Sequence, residues 1–419
     1  MREMNIEDSL LTCVHCGFCL PACPTYVRLG DEADSPRGRL HLMRAVAEGR
    51  LAADSDAFAT HLDRCLGCRA CEPVCPSGVP YGRLLEQGRE AVRAVRALPA
   101  RMRVLLWLFE RPRASRVVLA VARVVRATGV PALLARVLPF RAALPLAMLA
   151  ASAPHHGAGV TSAAAATDRD RGDAQPLRVG VLTGCVQEGL FGRVNQATAR
   201  TLRANGYEVV EVDGQGCCGA LHAHAGDLEG ARRLARRNVR AFEGAGLDRV
   251  CVNAAGCGAM LKEYDHLLAG EDEGLSARTR DVAELLAERD IRKGGEVAMS
   301  VAYDAPCHLL HAQGVDEAVQ KVFEAIPGVV RLAVEGADAC CGGAGLYGMA
   351  QPELGKAIGR DKADQIRATG ADSVATGNPG CMMQIGALLR IEGEAARVVH
   401  PIELLDESYR RAGFYDGER

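Results

Sequence analysis

Two cysteine runs near the amino end constrain this chain more than any other feature. The first run, C-x2-C-x2-C-x3-C followed by proline, covers residues 13–24, and the second repeats it over residues 65–76. Proteins that bind two [4Fe–4S] clusters use this spacing, with three cysteines of a run on one cluster and the fourth on the other. Three thiolates on a tight turn can hold three corners of an iron–sulfur cube, so the fourth ligand must come from elsewhere. The spacing therefore predicts two [4Fe–4S] clusters and a protein that transfers electrons.

The crossed arrangement assigns each cysteine to one cluster. The predicted ligands of the first cluster are Cys13, Cys16, Cys19 and Cys75. Those of the second cluster are Cys65, Cys68, Cys71 and Cys23. Pro24 and Pro76 turn the chain away from the clusters, because proline fixes φ and lacks an amide donor. Zinc is the alternative for a single run, but zinc motifs pair two C-x2-C units and need only four ligands.

Composition narrows the class of protein. A chain of 419 residues exceeds the usual size of one core, so two or three domains are expected. A net charge of −2 gives no reason to expect nucleic acid as a partner. The first residues show no apolar signal region, and no stretch of 18 strongly apolar residues predicts a membrane span. Cysteines at metal-ligand spacing then indicate a reducing cytoplasm.

The chain divides into five segments of mixed class, α/β plus α. They are a helical two-[4Fe–4S] ferredoxin-like domain (1–97), a basic helical connector (98–150), a flexible linker (151–176) and two repeated parallel α/β modules (177–290 and 296–415).

Between the two cysteine runs, the sequence predicts a helix from about Leu40 to Glu48. Ser35 suits its N-cap and Pro36 its first position. Such a helix would space the two cluster loops. Arg37 and Arg39 have two interpretations, since they can offset the negative charge of thiolates and sulfides or form a solvated basic turn.

The connector is rich in arginine, leucine and valine, with Glu110 almost its only acid. Prolines and a glycine keep its helices short. A basic amphipathic helix can lie on an anionic membrane surface or dock a partner. The third interpretation is a helical connector that packs on the rest of the protein.

The carboxyl-terminal half is an internal repeat, predicted as strand, cysteine, helix, strand, Cys-Cys-Gly, helix, strand, Gly-Cys. The cysteines of the first module are Cys185, Cys217, Cys218 and Cys257. Those of the second are Cys307, Cys340, Cys341 and Cys381. The interval from the first cysteine to the second is 32 positions in one module and 33 in the other. Alternating strands and helices predict parallel α/β modules.

Each of these cysteines comes just after a predicted strand, so all four of a module are expected at the carboxyl edge of its sheet. Three interpretations stay open for them: a further metal centre (an iron–sulfur cluster or zinc), a redox dithiol, or buried structural thiols. His308 and His311 could act as ligands or proton carriers. Cys251 lies in mid-strand, outside the repeat, and is interpreted as a buried structural thiol.

Several local runs resemble the iron–sulfur subunit of bacterial glycolate oxidase, within a wider heterodisulfide-reductase-like family of Cys-Cys-Gly domains. The runs that carry the resemblance are residues 13–19, 36–39, 75–81, 216–220, 256–264 and 340–345. One departure stands out, because heterodisulfide-reductase-type modules end in C-x2-C. Here Ala254 and Asn378 occupy the first position of that pair, which weakens the case for direct disulfide reduction.

The resemblance implies that substrate oxidation and electron transfer occur on different subunits. FAD-containing subunits oxidise glycolate to glyoxylate, and this chain passes the electrons on to a quinone-type acceptor, in the cytoplasm or at the inner face of the cytoplasmic membrane. The chain itself shows no flavin fingerprint after a strand. The alternatives are a subunit of another 2-hydroxy-acid, glycerol-3-phosphate or heterodisulfide-type oxidoreductase, a disulfide reductase acting at the modules, and a non-catalytic assembly subunit.

Overall fold

The computed structural model describes residues 6–154, 175–394 and 397–416. The flexible linker predicted over 151–176 therefore lies mostly outside the described residues. At its amino end, Ala151 still belongs to a helix and is buried, as is Ser152.

The amino-terminal segment is helical around the two cysteine runs. Its helices are α1 (Ile6–Leu11), α2 (Pro24–Leu29), α3 (Pro36–Ala47), α4 (Asp56–Arg64) and α5 (Tyr81–Val95), with a 3-10 turn at Glu32–Asp34. α3 begins at Pro36, earlier than the predicted Leu40, because Ser35 Oγ accepts a hydrogen bond from Gly38 N at 3.0 Å and acts as the N-cap that the sequence predicts. Leu40, Leu62 and Leu84 pack into one core. The bundle thereby holds the two cysteine loops beside each other.

Four helices form the connector. They are α6 (Ala100–Phe109), α7 (Pro112–Ala127), α8 (Val130–Val137) and α9 (Phe140–Ala151). α9 packs on the second module, where Leu144 and Ala147 contact Ala387. α7 instead leaves most of its valines exposed and buries Ser115. Among the described helices none is long and apolar enough alone to cross a membrane, although α7 and α8, bent by 74°, pass that test as a pair.

Each module contains a four-stranded parallel sheet, which confirms the predicted repeat of parallel α/β units. The first sheet, in the order β2-β1-β3-β4, is built from β1 (Arg178–Val181), β2 (Glu208–Val210), β3 (Arg249–Val252) and β4 (Thr279–Asp281). The second, in the order β6-β5-β7-β8, is built from β5 (Met299–Tyr303), β6 (Val329–Leu332), β7 (Ser373–Ala375) and β8 (Arg397–Val399). The sequence predicts only three strands per module. β4 and β8 escape prediction because β4 (Thr-Arg-Asp) has no apolar residue and β8 (Arg-Val-Val) has only two, without an alternating pattern.

Helices connect the strands of both modules. Those of the first are α10 (Val186–Ala204), α11 (Ala220–Ala225), α12 (Leu228–Glu243), α13 (Ala255–Lys262), α14 (Tyr264–Leu267), α15 (Leu275–Arg278) and α16 (Val282–Ala287). Those of the second are α17 (Cys307–Gln313), α18 (Glu317–Glu324), α19 (Tyr347–Ala350), α20 (Pro352–Ala368), α21 (Pro379–Ile391) and α22 (Pro401–Arg411).

The two modules share one hydrophobic core. Phe191 of the first module and Leu405 of the second belong to the same cluster of buried side chains. Across this interface, Arg200 donates two hydrogen bonds to the Asp406 carboxylate, at 2.8 and 2.7 Å. The modules are therefore fixed relative to each other, and so are the two cysteine-bearing sheet edges.

Candidate metal centres

The first cysteine run wraps around a small cavity. The residues that line it include Cys13, Cys16, Cys19 and Cys75, the four predicted ligands of the first cluster. His15 and Gly17 adopt positive φ values of 56° and 88°, which reverse the chain between the thiols. Arg37 Nη1 donates a hydrogen bond to His15 O at 3.1 Å and holds this turn.

A second cavity lies next to the first, because Cys71 lines both. Its lining includes Cys23, Cys65, Cys68 and Cys71, the four predicted ligands of the second cluster. All four of these thiols are buried, whereas Cys16 of the first set is exposed. Cys75 of the second run thus lines the first cavity, together with the shared Cys71, and Cys23 of the first run lines the second cavity, as a crossed arrangement requires. That these thiols bind iron stays a prediction.

Arg39 is fully buried between the two runs, at 0 % exposure. Its guanidinium donates to His61 O at 2.7 Å, to Thr25 Oγ1 at 3.0 Å and to Asp34 Oδ1 at 3.2 Å. The Cys23 thiol lies 3.9 Å from the same guanidinium. The interpretation of Arg39 as part of a solvated turn is therefore wrong. Its charge faces the thiols of the second set.

Buried cations favour the thiolate at one position of the second set. Burial alone would raise the pKa of Cys65, but the positive charges of Arg39 and Arg89 and a hydrogen bond from Tyr81 lower it below its ordinary value. Tyr81 Oη lies 3.5 Å from Cys65 Sγ. Deprotonated thiols are what a metal requires. The four buried thiols are the donors that an iron–sulfur cluster uses. A counter-charge is in place at Cys65, whereas burial raises the pKa of Cys68 and Cys71.

In the first module, the four cysteines gather after the strands as predicted. Cys185 Sγ lies 3.5 Å from Cys217 Sγ, and Cys218 shares hydrogen bonds with Cys217 and Cys257. Hydrogen bonds from Cys185 and Cys218 hold the pKa of Cys217 well below its ordinary value. We call this group the module-1 row.

The second module repeats this arrangement. Cys341 Sγ and Cys381 Sγ lie 3.3 Å apart, and Cys307 shares a hydrogen bond with Cys340. Asn378, which replaces the extra cysteine of heterodisulfide-reductase-type modules, donates from Nδ2 to Cys381 Sγ at 3.4 Å. We call the four thiols Cys307, Cys340, Cys341 and Cys381 the module-2 row.

The glycine that follows each cysteine pair is required by the backbone. Gly219 has a φ of 92°, and a Cβ there would lie 3.2 Å from the backbone of Ala231. Gly342 has a φ of 75°, and a Cβ there would lie 2.5 Å from Gly355 O. A side chain would therefore displace the neighbouring helix, so Cys-Cys-Gly is a structural unit that sets the position of its thiols.

The distances between the thiols of a row bear on whether that row could bind a single zinc ion. Ligands of one zinc ion must be close together, since Zn–S bonds are about 2.3 Å long. Among the described residues, the groups whose ligand atoms all lie within 4.8 Å of one another contain no cysteine. They are Asp31–Asp34–His61 and Glu110–His222–Asp227. Both include carboxylates that already pair with arginines. Neighbouring thiols lie 3.5 Å apart in the module-1 row and 3.3 Å apart in the module-2 row, but among the described residues no three thiols close around one point, so the rows are not arranged as a finished zinc site.

The remaining residues noted in the sequence, His308, His311 and Cys251, lie in three different places. His308 Nδ1 lies 3.5 Å from Cys307 Sγ, at the module-2 row. His311 instead contacts the backbone oxygen of Asp338 through Nε2, at 2.9 Å. Cys251 is fully buried in β3 and packs in the core that the two modules share, as expected of a structural thiol.

The second amino-terminal set touches the module-2 row. Cys68, Cys307 and Cys340 belong to one buried cluster with Tyr347, whose hydroxyl donates to Arg64 O at 2.8 Å. The sequence did not predict this contact, because the residues are more than 200 positions apart and share no motif. It also missed Tyr81 and Arg89, which no spacing rule marks.

Comparison with known proteins gives two kinds of match. The 4Fe-4S dicluster domain matches residues 9–79, and the cysteine-rich domain CCG matches residues 179–262 and 301–386. The probable glycolate oxidase iron-sulfur subunit of Bacillus subtilis is 35% identical over 97% of this chain and 96% of its own length. The glycolate oxidase iron-sulfur subunit of Escherichia coli is 34% identical, over 98% and 97%. One subunit of the fumarate reductase (CoM/CoB) of Methanothermobacter marburgensis is 29% identical over 98% of this chain and 75% of its own length.

Proposed function

The chain belongs to the family of glycolate oxidase iron–sulfur subunits, and from that membership we propose that it carries electrons between the other subunits of such a complex and a quinone-type acceptor. In this proposal FAD-containing subunits oxidise glycolate to glyoxylate, and this chain receives the electrons from that step. When bound, iron–sulfur clusters accept and release single electrons, at potentials set by hydrogen bonds, charge and burial.

One observation carries the proposal: the thiol sets follow one another through the protein. The first set includes the exposed Cys16, and the second set is buried beside it. Cys68 of the second set then packs against Cys307 of the module-2 row. A protein that only docked its partners would have no need of this continuous series. The residues of the chain act by ligating, by burying charge and by excluding water.

The exposed end of the series fits electron entry from a partner. Val14 and Phe18 flank Cys16 and are 67 % and 63 % exposed. Val27, on the neighbouring α2, is 66 % exposed. Apolar side chains grouped on a surface mark a protein interface. We infer that the flavin-containing subunit docks on this entry surface, formed by Val14 and Phe18 on either side of Cys16.

The experiment that tests the function follows the chain's own visible absorbance. We expect glycolate to bleach it under anaerobic conditions when the flavin subunits are present, and not when they are omitted. The variant Phe18→Asp should slow bleaching about tenfold, because a carboxylate opposes burial in the interface. Val330→Asp is the matched control, since Val330 is also exposed (58 %) but lies on β6, outside the entry surface.

Two results would count against the proposal. If glycolate did not bleach the chain in the complete complex, the proposal that the chain relays electrons would be refuted. Equal rates for Phe18→Asp and Val330→Asp, at equal iron content, would leave the function intact and exclude the entry surface.

We also propose an iron–sulfur cluster at each cysteine row, in preference to zinc. The support is the gathering of four thiols in each module and the acidity of Cys341. Hydrogen bonds from Cys340 and Cys381, together with the buried ammonium of Lys362, hold the pKa of Cys341 well below its ordinary value. Iron, zinc and sulfide are measured on the same anaerobic sample. Two cubanes account for about eight irons, so clearly more iron supports clusters in the rows, and about eight irons would exclude them.

The connector offers a surface for the membrane in which quinones dissolve. On α7, Val117, Val121 and Val124 are 64 %, 57 % and 68 % exposed, and the exposed Arg116 and Arg123 lie along one side of this valine face. Glu110, the acid of this region, pairs with Arg233 of the first module. We infer that this connector face lies on an anionic bilayer, because it combines exposed apolar groups with unbalanced positive charge.

Vesicle binding checks the connector face. We expect the whole chain to sediment with vesicles that contain phosphatidylglycerol and to be released as salt is raised. Replacing Val117, Val121 and Val124 by serine should reduce the bound fraction several-fold, whereas the control Val330→Ser should not. Equal sedimentation of the triple variant, or equal binding to neutral vesicles, would refute membrane contact through this face.

A further inference from the structure

A cavity of about 140 Å³ lies where the amino-terminal segment meets both modules. α5 supplies Leu85 and Gln87, the first module supplies Leu228, Met260 and Leu267, and the second supplies His308. A cavity of roughly 150 Å³ is enough to bind benzene. The site can therefore hold one six-membered ring between apolar walls.

The cavity adjoins three of the four thiol sets. Gly67, next to Cys68, lines it from the amino-terminal segment. Gly256 lines it next to Cys257 of the module-1 row, and His308 lines it next to Cys307 of the module-2 row. A redox-active molecule bound here would therefore lie beside candidate centres of the amino-terminal segment and of both modules.

The charges on the wall favour a neutral ligand over a small carboxylate. Arg83 Nε donates to Glu263 Oε2 at 2.6 Å. Arg69 pairs with the same carboxylate and with Glu72, and Arg232 lies 3.4 Å from Glu90. Each of these guanidinium groups already has an acidic partner. An anion such as glyoxylate would have to displace one of them, whereas a neutral ring need not.

A buried hydrogen-bonding group lacks a partner at this site. His308 Nε2 is shielded from solvent and has no hydrogen bond within the described part of the chain. Its ring stands 5.2 Å from that of His224, tilted by 45°, and His224 Nδ1 lies 3.2 Å from Glu86 Oε1. A buried polar atom without a partner is costly. A carbonyl oxygen of a ligand would satisfy His308 Nε2.

We propose that this junction cavity binds the headgroup of a quinone, with His308 contacting a ring carbonyl and the leucines and Met260 packing on the ring. The inference rests on the proposed function and assigns the quinone acceptor a binding site in this chain. Oxidation of glycolate to glyoxylate releases two electrons and two protons. The quinone takes up two electrons, and with two protons from solvent its two carbonyls become hydroxyls, so the exchange balances.

The test measures binding directly. Decylubiquinone, a short-chain quinone, is added to the anaerobically prepared whole chain, and its dissociation constant is measured by equilibrium dialysis. Gln87 and Leu267 are half-buried on the wall of the cavity, so Gln87→Trp and Leu267→Trp should fill it with little effect on folding. We expect at least tenfold weaker binding in both. The matched control is Ala277→Trp, on an exposed site of the first module, which should bind like the unaltered chain.

Two outcomes would overturn the proposal: equal affinity in the filled and control variants, or displacement of decylubiquinone by glyoxylate at stoichiometric concentration. Neither outcome affects bleaching of the chain by glycolate and the flavin subunits, which tests electron entry separately. A complex that bleaches normally while the filled variants bind quinone unchanged would therefore refute the junction cavity and leave the proposed function standing.

Discussion

Replacing Cys68 by serine is expected to abolish electron flow through the complex. Cys68 is buried in the second amino-terminal set and packs against Cys307 of the module-2 row. Serine is a much weaker ligand than a thiolate for iron, so the variant should lose about four irons with one cluster. Glycolate-dependent quinone reduction should fall at least 100-fold. Reduction of the flavin by glycolate, measured in the same sample, should stay normal.

Cys251→Ser is the matched control for this substitution. Cys251 is also buried, but it lies in β3 in the core shared by the modules and belongs to none of the four thiol sets. The control should keep its iron content and most of its quinone reduction. If Cys68→Ser kept full quinone reduction, the electrons would not pass through the second set, and the proposed series of centres would be contradicted.

Replacing Arg39 by methionine is expected to destabilise the amino-terminal segment by about 3–5 kcal/mol, the usual cost of removing one partner of a buried ion pair. The change leaves Asp34, which is fully buried, without its buried cation. Arg64 still contacts the Asp34 carboxylate, at 2.8 Å, and limits the loss. His61 O and Thr25 Oγ1 lose their donor at the same time. The loop that carries Cys23 should therefore loosen.

The measurement is the guanidinium midpoint at which the cluster absorbance disappears under anaerobic conditions, because a chain of several domains has no single unfolding free energy. Arg44→Met is the matched control on the same helix, α3. Arg44 is exposed and pairs with Glu48 at 2.6 Å, so its loss should cost well under 1 kcal/mol. Arg39→Lys should lie between the two, since lysine keeps the charge but cannot reach three acceptors. Equal midpoints for Arg39→Met and Arg44→Met would refute a structural role of Arg39.

Short sequence motifs correctly predicted the structural features that depend on neighbouring residues. Ser35 and Pro36 marked the start of α3, and the Cys-Cys-Gly repeat marked two parallel α/β modules, both confirmed by the structure. β4 and β8 were missed because β4 has no apolar residue and β8 only two, which leaves no strand pattern to recognise. The two interpretations of Arg39 could not be separated, because burial depends on helices that are remote in sequence.

The spacing of the cysteines alone determined the number of thiol sets and their order along the chain, since a tight turn and a strand end restrict where a thiol can point. The packing of α4, α5 and α19 decided that Cys68 meets Cys307, and it also created the junction cavity lined by Leu85 and His308. No pattern within a segment could specify these contacts. They arise from the burial of apolar faces between three separate units, which is the sum of many small interactions across the whole fold.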